Sequence, residues 1–212
     1  MNTLAVIVPT YHRPQALEAL VANIHDNTAT PHTIYFVTEP DDQASIDEVN
    51  RLEQNLIISK YPGTHTGAAN TAYESTLEPF FIIANDDFNF HKEWDTKALE
   101  AIKGYGVCGL NDGYSGSFTQ ITLVDRNYIQ TQSGVVDEPN TLYHRGYHHN
   151  YVDTEFSQTA QKRGMFTICH DAVVEHKHYT FNKSKIDDTY KKTITRVTQD
   201  SALYESRKHL FT

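Results

Sequence analysis

The sequence has few cysteines, no long apolar run and, over most of its length, few cations. Its 212 residues contain two cysteines, Cys108 and Cys169, so a disulfide framework is not indicated and a reducing compartment is expected. The apolar run at 4–8 is too short for a signal-peptide core, and no stretch approaches the roughly 18 residues of a membrane span. We therefore expect a soluble, cytoplasmic protein.

The scarcity of cations is confined to one part of the chain. Residues 1–144 hold 7 Lys and Arg against 19 Asp and Glu, whereas residues 145–212 hold 11 against 8. One interpretation is that the charges are solvated faces, and the other is that an anionic ligand meets the second part. The cations of segment 177–196 are Lys177, Lys183, Lys185, Lys191, Lys192 and Arg196.

Internal repeats and linker-like stretches are also absent, and apolar runs alternate with helical patterns instead. The predicted strands are 4–8, 34–37, 56–58, 80–84, 107–110, 120–124, 166–168 and 172–174. Helices are predicted from Pro14 to Ile24, around 46–52 and 68–72, over 153–163 and in the polar tail 186–210. This alternation predicts one domain with a mostly parallel sheet and helices on both faces.

Polar residues follow the predicted strands, at the edge where open parallel sheets bind ligands. They occupy 9–13, 38–41 and 85–87. Asp86 and Asp87 follow a buried strand directly, and such carboxylates suit a hard divalent cation that substrate phosphates complete. The alternative is that the two acids only form a turn or cap a helix.

Five short motifs occur along the chain, and their order and spacing are informative. Residues 6–14 read Val-Ile-Val-Pro-Thr-Tyr-His-Arg-Pro, 67–70 read Gly-Ala-Ala-Asn and 82–87 read Ile-Ile-Ala-Asn-Asp-Asp. Residues 152–156 read Val-Asp-Thr-Glu-Phe and 171–176 read Asp-Ala-Val-Val-Glu-His. Together they resemble the family 2 glycosyltransferases, with their Pro-Thr-Tyr opening, Gly-x-x-x-Ala-x-Asn region, Asp-x-Asp metal motif, Glu-Asp-x-Asp-Leu helix start and closing histidine ligand.

The resemblance implies an α/β fold of the GT-A type, Rossmann-like, with a mostly parallel central sheet flanked by helices and a C-terminal helical tail. Residues 1–110 would be the nucleotide-sugar-binding half, 111–180 the acceptor and catalytic half, and 181–212 the tail. The implied activity is metal-dependent, inverting transfer of one sugar from a nucleotide sugar, UDP-sugar favoured, to an acceptor hydroxyl.

Site residues follow from the same resemblance. The implied donor-binding residues are Pro9, Thr10, Arg13, Glu39, Asp41, Asn70, Asn85 and Asp86. Glu39 or Asp41 would lie near the nucleobase of the donor. Asp87 and His176 would hold Mn²⁺ or Mg²⁺, and His178 is the alternative histidine. The implied acceptor-binding residues are His148, His149 and Glu155.

Asp153 is the implied general base. Inverting transfer needs a carboxylate that takes the proton of the acceptor hydroxyl, and a cation that stabilises the departing diphosphate. Because Asp153 begins a predicted helix, the helix dipole is expected to lower its pKa and keep it ionised. The alternative is that Asp153 only caps that helix.

Departures from the family pattern limit what the sequence implies about substrates. Asn85 replaces the first acid of the metal motif, and the Gln-x-x-Arg-Trp motif of processive synthases is absent, which favours single transfers. The compact chain and its 148–156 stretch look like small phage-encoded glycosyltransferases, some of which modify hydroxymethylated pyrimidines in DNA. DNA or a small glycan is therefore the expected acceptor.

Two other functions compete with sugar transfer. A sugar nucleotidyltransferase would need a glycine-rich loop after the first strand, and residues 9–14 contain no glycine. A non-catalytic nucleotide-sugar-binding module would bind the donor without turnover, and only the presence of Asp153 argues against it. The sequence does not indicate the oligomeric state.

Overall fold

The computed structural model describes residues 3–116, 118–177, 183 and 188–212, which form a sheet with helices on both faces. The strands are β1 Leu4–Pro9, β2 His32–Thr38, β3 Asn55–Ile58, β4 Phe80–Ile83, β5 Phe88–Phe90, β6 Val107–Asn111, β7 Thr122–Asp125 and β8 Phe166–His176. The helices are α1 Pro14–Asn27, α2 Gln43–Arg51, α3 His65–Ser75, α4 Trp94–Ala101, α5 Arg126–Gln132, α6 Val152–Lys162 and α7 Asp188–Arg207, with a 3₁₀ turn at Lys208–Leu210.

The eight strands stand in the order β3-β2-β1-β4-β7-β6-β8-β5. Parallel pairs join β3 to β2, β2 to β1, β1 to β4, and β6 to β8. β7 is antiparallel to both β4 and β6, and β5 is antiparallel to β8. Because β7 reverses direction between its two neighbours, β6 and β8 run the same way as β1. The mostly parallel sheet with flanking helices and a C-terminal helix, as the sequence predicted, is confirmed.

The apolar run of β1 is explained by burial on both of its faces. Leu4, Val6 and Val8 pack in one core cluster with side chains of α1 and α4. Ala5 and Ile7 pack in the other cluster, with side chains of α3, α5 and α6. Burying a valine or leucine side chain stabilises a fold by about 1.5–3 kcal/mol, so β1 anchors both layers.

The structure differs from the prediction after β4. The two short strands expected at 166–168 and 172–174 are the single strand β8, whose pairing with β6 shifts register where Asn111 meets Val173. The prediction also omitted β5, α4 and α5. Helix α4 could have been found, because Trp94, Ala98 and Ile102 are buried at helical spacing.

The carboxyl ends of four strands lie at one edge of the sheet, and the polar segments meet there. Residues 10–13 follow β1, residues 39–42 follow β2 and residues 85–87 follow β4. His176 ends β8, which runs in the same direction, and reaches this edge too. Parallel topology thereby gathers residues that lie far apart in the sequence.

Helix α7 lies at the end of the chain and returns to the body of the fold. Its residues Asp200 and Arg207 are buried, with 0% and 7% of their surface exposed. His178, the alternative metal ligand, lies outside the described residues. Among the residues that are described, no helix has the length and apolar character needed to cross a membrane.

Candidate active site

A cleft of two connected lobes opens at the carboxyl edge of the sheet. The first lobe is lined by Pro9, Thr10, Arg13, Glu39, Asp86, Asp87 and Arg196, among others. The second lobe is lined by Gln120, Tyr143, Tyr151, Asp153, Thr154 and Val197, among others. Four residues line both lobes and mark their junction: His65, Asn85, His149 and His176.

Asp86 ties the loop after β4 to the loop after β1. Its carboxylate accepts a hydrogen bond from the Thr10 hydroxyl at 3.0 Å and one from the Arg13 guanidinium at 2.7 Å. Burial raises the pKa of Asp86 to about 6, against the opposing effect of Arg13. The ion pair of Asp86 and Arg13 forms the floor of the first lobe and holds the Arg13 guanidinium there.

Of the three carboxylates in the loop after β2, only that of Glu39 lines the first lobe. Glu39 is buried, and its Oε2 accepts a hydrogen bond from the Gly63 amide at 2.8 Å. Asp41, the other candidate for contact with the nucleobase, is exposed and does not line the lobe. Asp42 is buried instead and accepts hydrogen bonds from the amides of His12 and Ser45, which fastens the loop after β1 to the start of α2.

Asp87 and His176 face each other at the junction of the lobes. Asp87 Oδ1 lies 3.3 Å from His176 Nε2, and both side chains are largely buried. Their backbones are held together because the Lys177 amide donates to the Asp87 carbonyl at 3.0 Å, and Phe88 pairs with His176 in the β5–β8 ladder. Residues that are 89 positions apart are thus brought together by strand pairing.

The Asp87–His176 pair fits a divalent cation that is completed by other ligands. Neighbouring ligand atoms of an octahedral cation lie roughly 2.9 Å apart when each is about 2.0–2.1 Å from the metal, close to the observed spacing. One nitrogen and one oxygen ligand suit Mn²⁺ better than Mg²⁺, which prefers oxygen. Within the described part of the chain, no group of three or more His, Cys, Asp or Glu forms a complete metal cage. Substrate phosphates and water would supply the remaining ligands.

Asp153 lies in the second lobe, at the second residue of α6. The helix is preceded by Tyr151 in a left-handed conformation with φ of 64°, and Tyr151, rather than Asp153, occupies the N-cap position. Asp153 Oδ1 accepts a hydrogen bond from the Thr154 amide at 2.8 Å. Asp153 is therefore not the residue that caps α6.

The expected direction of the Asp153 pKa is wrong. The helix dipole was expected to lower it, but burial raises the pKa of Asp153 to about 6, and hydrogen bonds from Thr154 together with the nearby His176 only partly compensate. A carboxyl group with that pKa is still roughly nine-tenths ionised at pH 7. It is also a better proton acceptor than an ordinary aspartate.

The histidine-containing segment 148–150 runs between the lobes. His148 lines the first lobe, and His149 lines both. The His149 ring meets His65 edge-on at 4.8 Å between centroids. Burial, with His149 nearby, lowers the pKa of His65 to about 3, so His65 presents a neutral imidazole to the junction.

Asn70 and Glu155 are not placed where the sequence predicted. Asn70 is 2% exposed, and its amide group is hydrogen-bonded to the backbone N–H and carbonyl of Tyr143, so it braces a loop and does not line the first lobe. Glu155 is 2% exposed and accepts hydrogen bonds from Arg207 at 2.8 Å and from the Tyr147 hydroxyl at 2.7 Å. Both side chains are used inside the protein, which corrects the donor and acceptor roles expected of them.

Two residues of the cleft, and one residue behind it that contacts segment 148–150, were missed or assigned elsewhere. Arg196 was counted only among the basic residues of the tail, yet it lines the first lobe and its guanidinium donates to the Gly63 carbonyl at 2.6 Å. His65 was not singled out, although it stands at the start of α3 next to both lobes. Asp200 was not singled out either. No local pattern marks these residues, because the packing of elements that are distant in the sequence brings each of them to the cleft or beside it.

Comparison with known proteins agrees with this geometry. A sequence profile described as Glycosyl transferase family 2 matches residues 5–191. The chain therefore belongs to glycosyl transferase family 2, a family of transferase enzymes, as the sequence motifs predicted. No curated protein matches the sequence.

Solved structures with a similar fold are GT-A glycosyltransferases. A mannosyltransferase from Pyrobaculum calidifontis, in complex with GDP-Man and Mn²⁺, is 15% identical with a TM-score of 0.63; the match covers 81% of this chain and 56% of that one. Glucosyl-3-phosphoglycerate synthase from Mycobacterium tuberculosis, in complex with Mn²⁺, UDP and glucosyl-3-phosphoglycerate, is 8% identical with a TM-score of 0.61, covering 84% and 72%. TarS from S. aureus, in complex with UDP-GlcNAc, is 14% identical with a TM-score of 0.61, covering 90% and 63%. This chain thus spans little more than half the length of the first.

Proposed function

We propose that this protein transfers a single sugar from a nucleotide sugar to an acceptor hydroxyl, with a divalent cation held by Asp87 and His176. One observation carries the proposal: the two ligand atoms meet 3.3 Å apart at the junction of the lobes, and Asp153 lies in the lobe beyond them. The arrangement separates a phosphate-binding side from a side that holds a base.

The first lobe is the proposed donor site. Arg196 and the cation would face the diphosphate, while Thr10, Arg13 and Glu39 would lie along the nucleoside. Guanidinium groups bind phosphate oxygens through paired hydrogen bonds, which supports a phosphate role for Arg196. The three similar structures are described with GDP-Man, UDP and UDP-GlcNAc, two of them with Mn²⁺, which favours a UDP- or GDP-sugar with Mn²⁺ rather than Mg²⁺.

The second lobe is the proposed acceptor site, and Asp153 is its base. When bound, the cation would act as a Lewis acid on the leaving diphosphate. Asp153 would accept the proton of the acceptor hydroxyl as its oxygen attacks the anomeric carbon on the face opposite the diphosphate. This geometry leads to inversion at that carbon. The raised pKa of Asp153 strengthens it as a proton acceptor.

A small glycan is the acceptor that we propose first. The charge of Arg196, one of the basic residues of the tail, is directed to the first lobe rather than to an acceptor. Hydroxymethylated DNA, carried over from the resemblance to phage enzymes, is the second candidate. It is favoured by the exposed Lys183 and Lys191, which could contact phosphates outside the cleft.

The experiment that tests the proposal is a screen of donor hydrolysis and transfer. UDP-, GDP- and TDP-sugars are incubated with the protein and Mn²⁺, with and without small glycans or hydroxymethylated DNA, and the released nucleoside diphosphate is measured. Release that depends on Mn²⁺ supports the proposal. Donor binding without release would favour a non-catalytic binding module. In a separate incubation with a sugar phosphate and a nucleoside triphosphate, release of pyrophosphate would favour a nucleotidyltransferase.

A further inference from the structure

Asp200 of helix α7 makes an unusual set of contacts beneath the segment 148–150. Its side chain is fully buried. Its Oδ1 accepts the His148 amide at 2.9 Å, and its Oδ2 accepts the amides of His149 at 3.0 Å and Asn150 at 2.8 Å. Three successive backbone N–H groups therefore converge on one carboxylate. Such a concave run of N–H groups is the kind of backbone arrangement that binds an anion, and here α7 supplies the anion.

Side chains complete the contact. His148 Nδ1 lies 3.0 Å from Asp200 Oδ1, and Asn150 Nδ2 donates to Oδ2 at 3.3 Å. Burial opposes ionisation of Asp200, but the hydrogen bonds from the three amides and from His148 outweigh it, and its pKa lies below the ordinary value. A buried carboxylate is costly unless it is hydrogen-bonded in this way, so its presence indicates a strongly specified backbone geometry.

The segment held by Asp200 stands between the proposed donor and acceptor sites. His149 lines both lobes, and Asn150 lines the second. The next residue, Tyr151, takes the left-handed conformation from which α6 begins, and Asp153 follows two positions later. The position of 148–150 therefore sets where the first turn of α6, and with it Asp153, stands relative to the junction.

We infer that Asp200 is a positioning residue, which fixes segment 148–150 from α7 so that Asp153 faces the junction with the donor lobe. Asp200 does not line either lobe and touches no reacting group. It acts through the backbone of its three partners. The kinetic part of this inference rests on the proposed sugar transfer, whereas the structural part does not.

The test is Asp200→Asn, which keeps the size of the side chain but turns an amide NH₂ toward N–H donors. We expect amide hydrogen exchange at His149 and Asn150 to accelerate at least tenfold. The kcat of nucleotide-sugar hydrolysis should fall roughly 10- to 100-fold, because a misplaced base loses most of a general-base contribution. The affinity for UDP with Mn²⁺, measured by calorimetry, should change less than threefold, because Thr10, Arg13, Asp86 and Asp87 belong to the loops after β1 and β4, which Asp200 does not contact. Glu205→Gln, which removes an exposed carboxylate from the same helix, is the matched control and should leave all three quantities unchanged.

Several results would overturn the inference. Exchange at His149 and Asn150 that matches the wild type would show that Asp200 does not hold the segment, and an unchanged kcat would show that the segment does not position the base. A loss confined to UDP affinity would assign Asp200 to the donor site instead.

Two further arms keep the test decisive. If Asp200→Asn does not fold, His148→Ala, which removes only the side-chain contact, should still accelerate exchange at Asn150 by about threefold, and no acceleration would refute the inference. If the wild-type protein releases no nucleotide from any donor, the proposed function fails, and the exchange measurement alone decides the role of Asp200.

Discussion

Replacement of Asp153 by asparagine separates a catalytic base from a structural aspartate. The variant keeps the size of the side chain, and the asparagine Oδ1 can still accept the hydrogen bond that Asp153 receives from the Thr154 amide. It cannot accept a proton from an acceptor hydroxyl. Because general-base catalysis contributes about 10²–10⁴-fold, transfer should fall by that factor, while the affinity for UDP with Mn²⁺ is retained.

The same change should raise stability, and the sign follows from burial. The pKa of Asp153 rises from 3.8 to about 6 in the folded protein, so the fold favours the protonated form. Stability contributed by that form is present below pH 3.8 and is lost as the pH rises through 6. The shift sets an upper limit of about 3 kcal/mol, and hydration of the half-buried carboxyl reduces it to about 1 kcal/mol. Asparagine has no charge to bury, so at pH 8 the variant should unfold about 2–4 °C above the wild type.

The assay has two readouts. Transfer is measured as released nucleoside diphosphate, and thermal unfolding is followed in EDTA between pH 5 and 8, where the stability advantage of the variant should shrink toward pH 5. Asp171→Asn, which removes an exposed carboxylate from β8, should change neither readout. Transfer at the wild-type rate would refute the assignment of Asp153 as the base, and Glu155 could not replace it, because its carboxylate is buried against Arg207.

Three other predictions concern the cleft and the buried ion pair of Glu155 with Arg207. Asp87→Ala or EDTA should abolish cation-dependent turnover, and His176→Ala should reduce it far more than His178→Ala; the opposite ranking would exchange the two histidines, and full activity in EDTA would refute the metal site. Arg196→Gln should raise the donor KM at least tenfold, because a hydrogen bond to a charged group contributes about 1.5–3 kcal/mol, whereas an unchanged KM would exclude a phosphate contact. Glu155→Gln should destabilise the protein by about 3 kcal/mol and lower Tm by roughly 6–12 °C; a Tm within 2 °C of wild type, by calorimetry, would show that the buried ion pair contributes little.

The parts of the fold that could be predicted are those where local pattern and burial agree. The apolar run of β1 and the periodicity of α1, with Leu17, Leu20 and Ile24 all buried, marked the parallel half of the sheet correctly. β5 was missed because three residues carry too little periodicity, and its strand character comes from pairing with the end of β8. Prediction therefore succeeded for β1 and α1, which bury their own patterns, and failed for β5, whose strand character a partner strand defines.

The candidate site divides in a similar way. The strand ends that carry Thr10, Asp86 and Asp87 could be located, because parallel topology places them at one edge. Residues that line or support the cleft through long-range packing could not be located: a single acid in a polar helix, such as Asp200, looks like a solvated charge in the sequence. The pKa of Asp153 was predicted to be lowered, whereas it is raised, because the sequence shows the place of Asp153 at a helix start but not its burial.

The late position of α7 in the chain has a consequence for synthesis. The eight strands that the structure describes all precede α7, so a growing chain can form the first-lobe floor of Thr10, Arg13 and Asp86 before α7 is made. The hydrogen bonds that order segment 148–150 and the ion pair of Glu155 need Asp200 and Arg207, which are translated later. The contacts that complete the second lobe therefore form only after α7 has been made, and a chain cut within α7 before residue 200 would lack them while keeping the strands of the sheet.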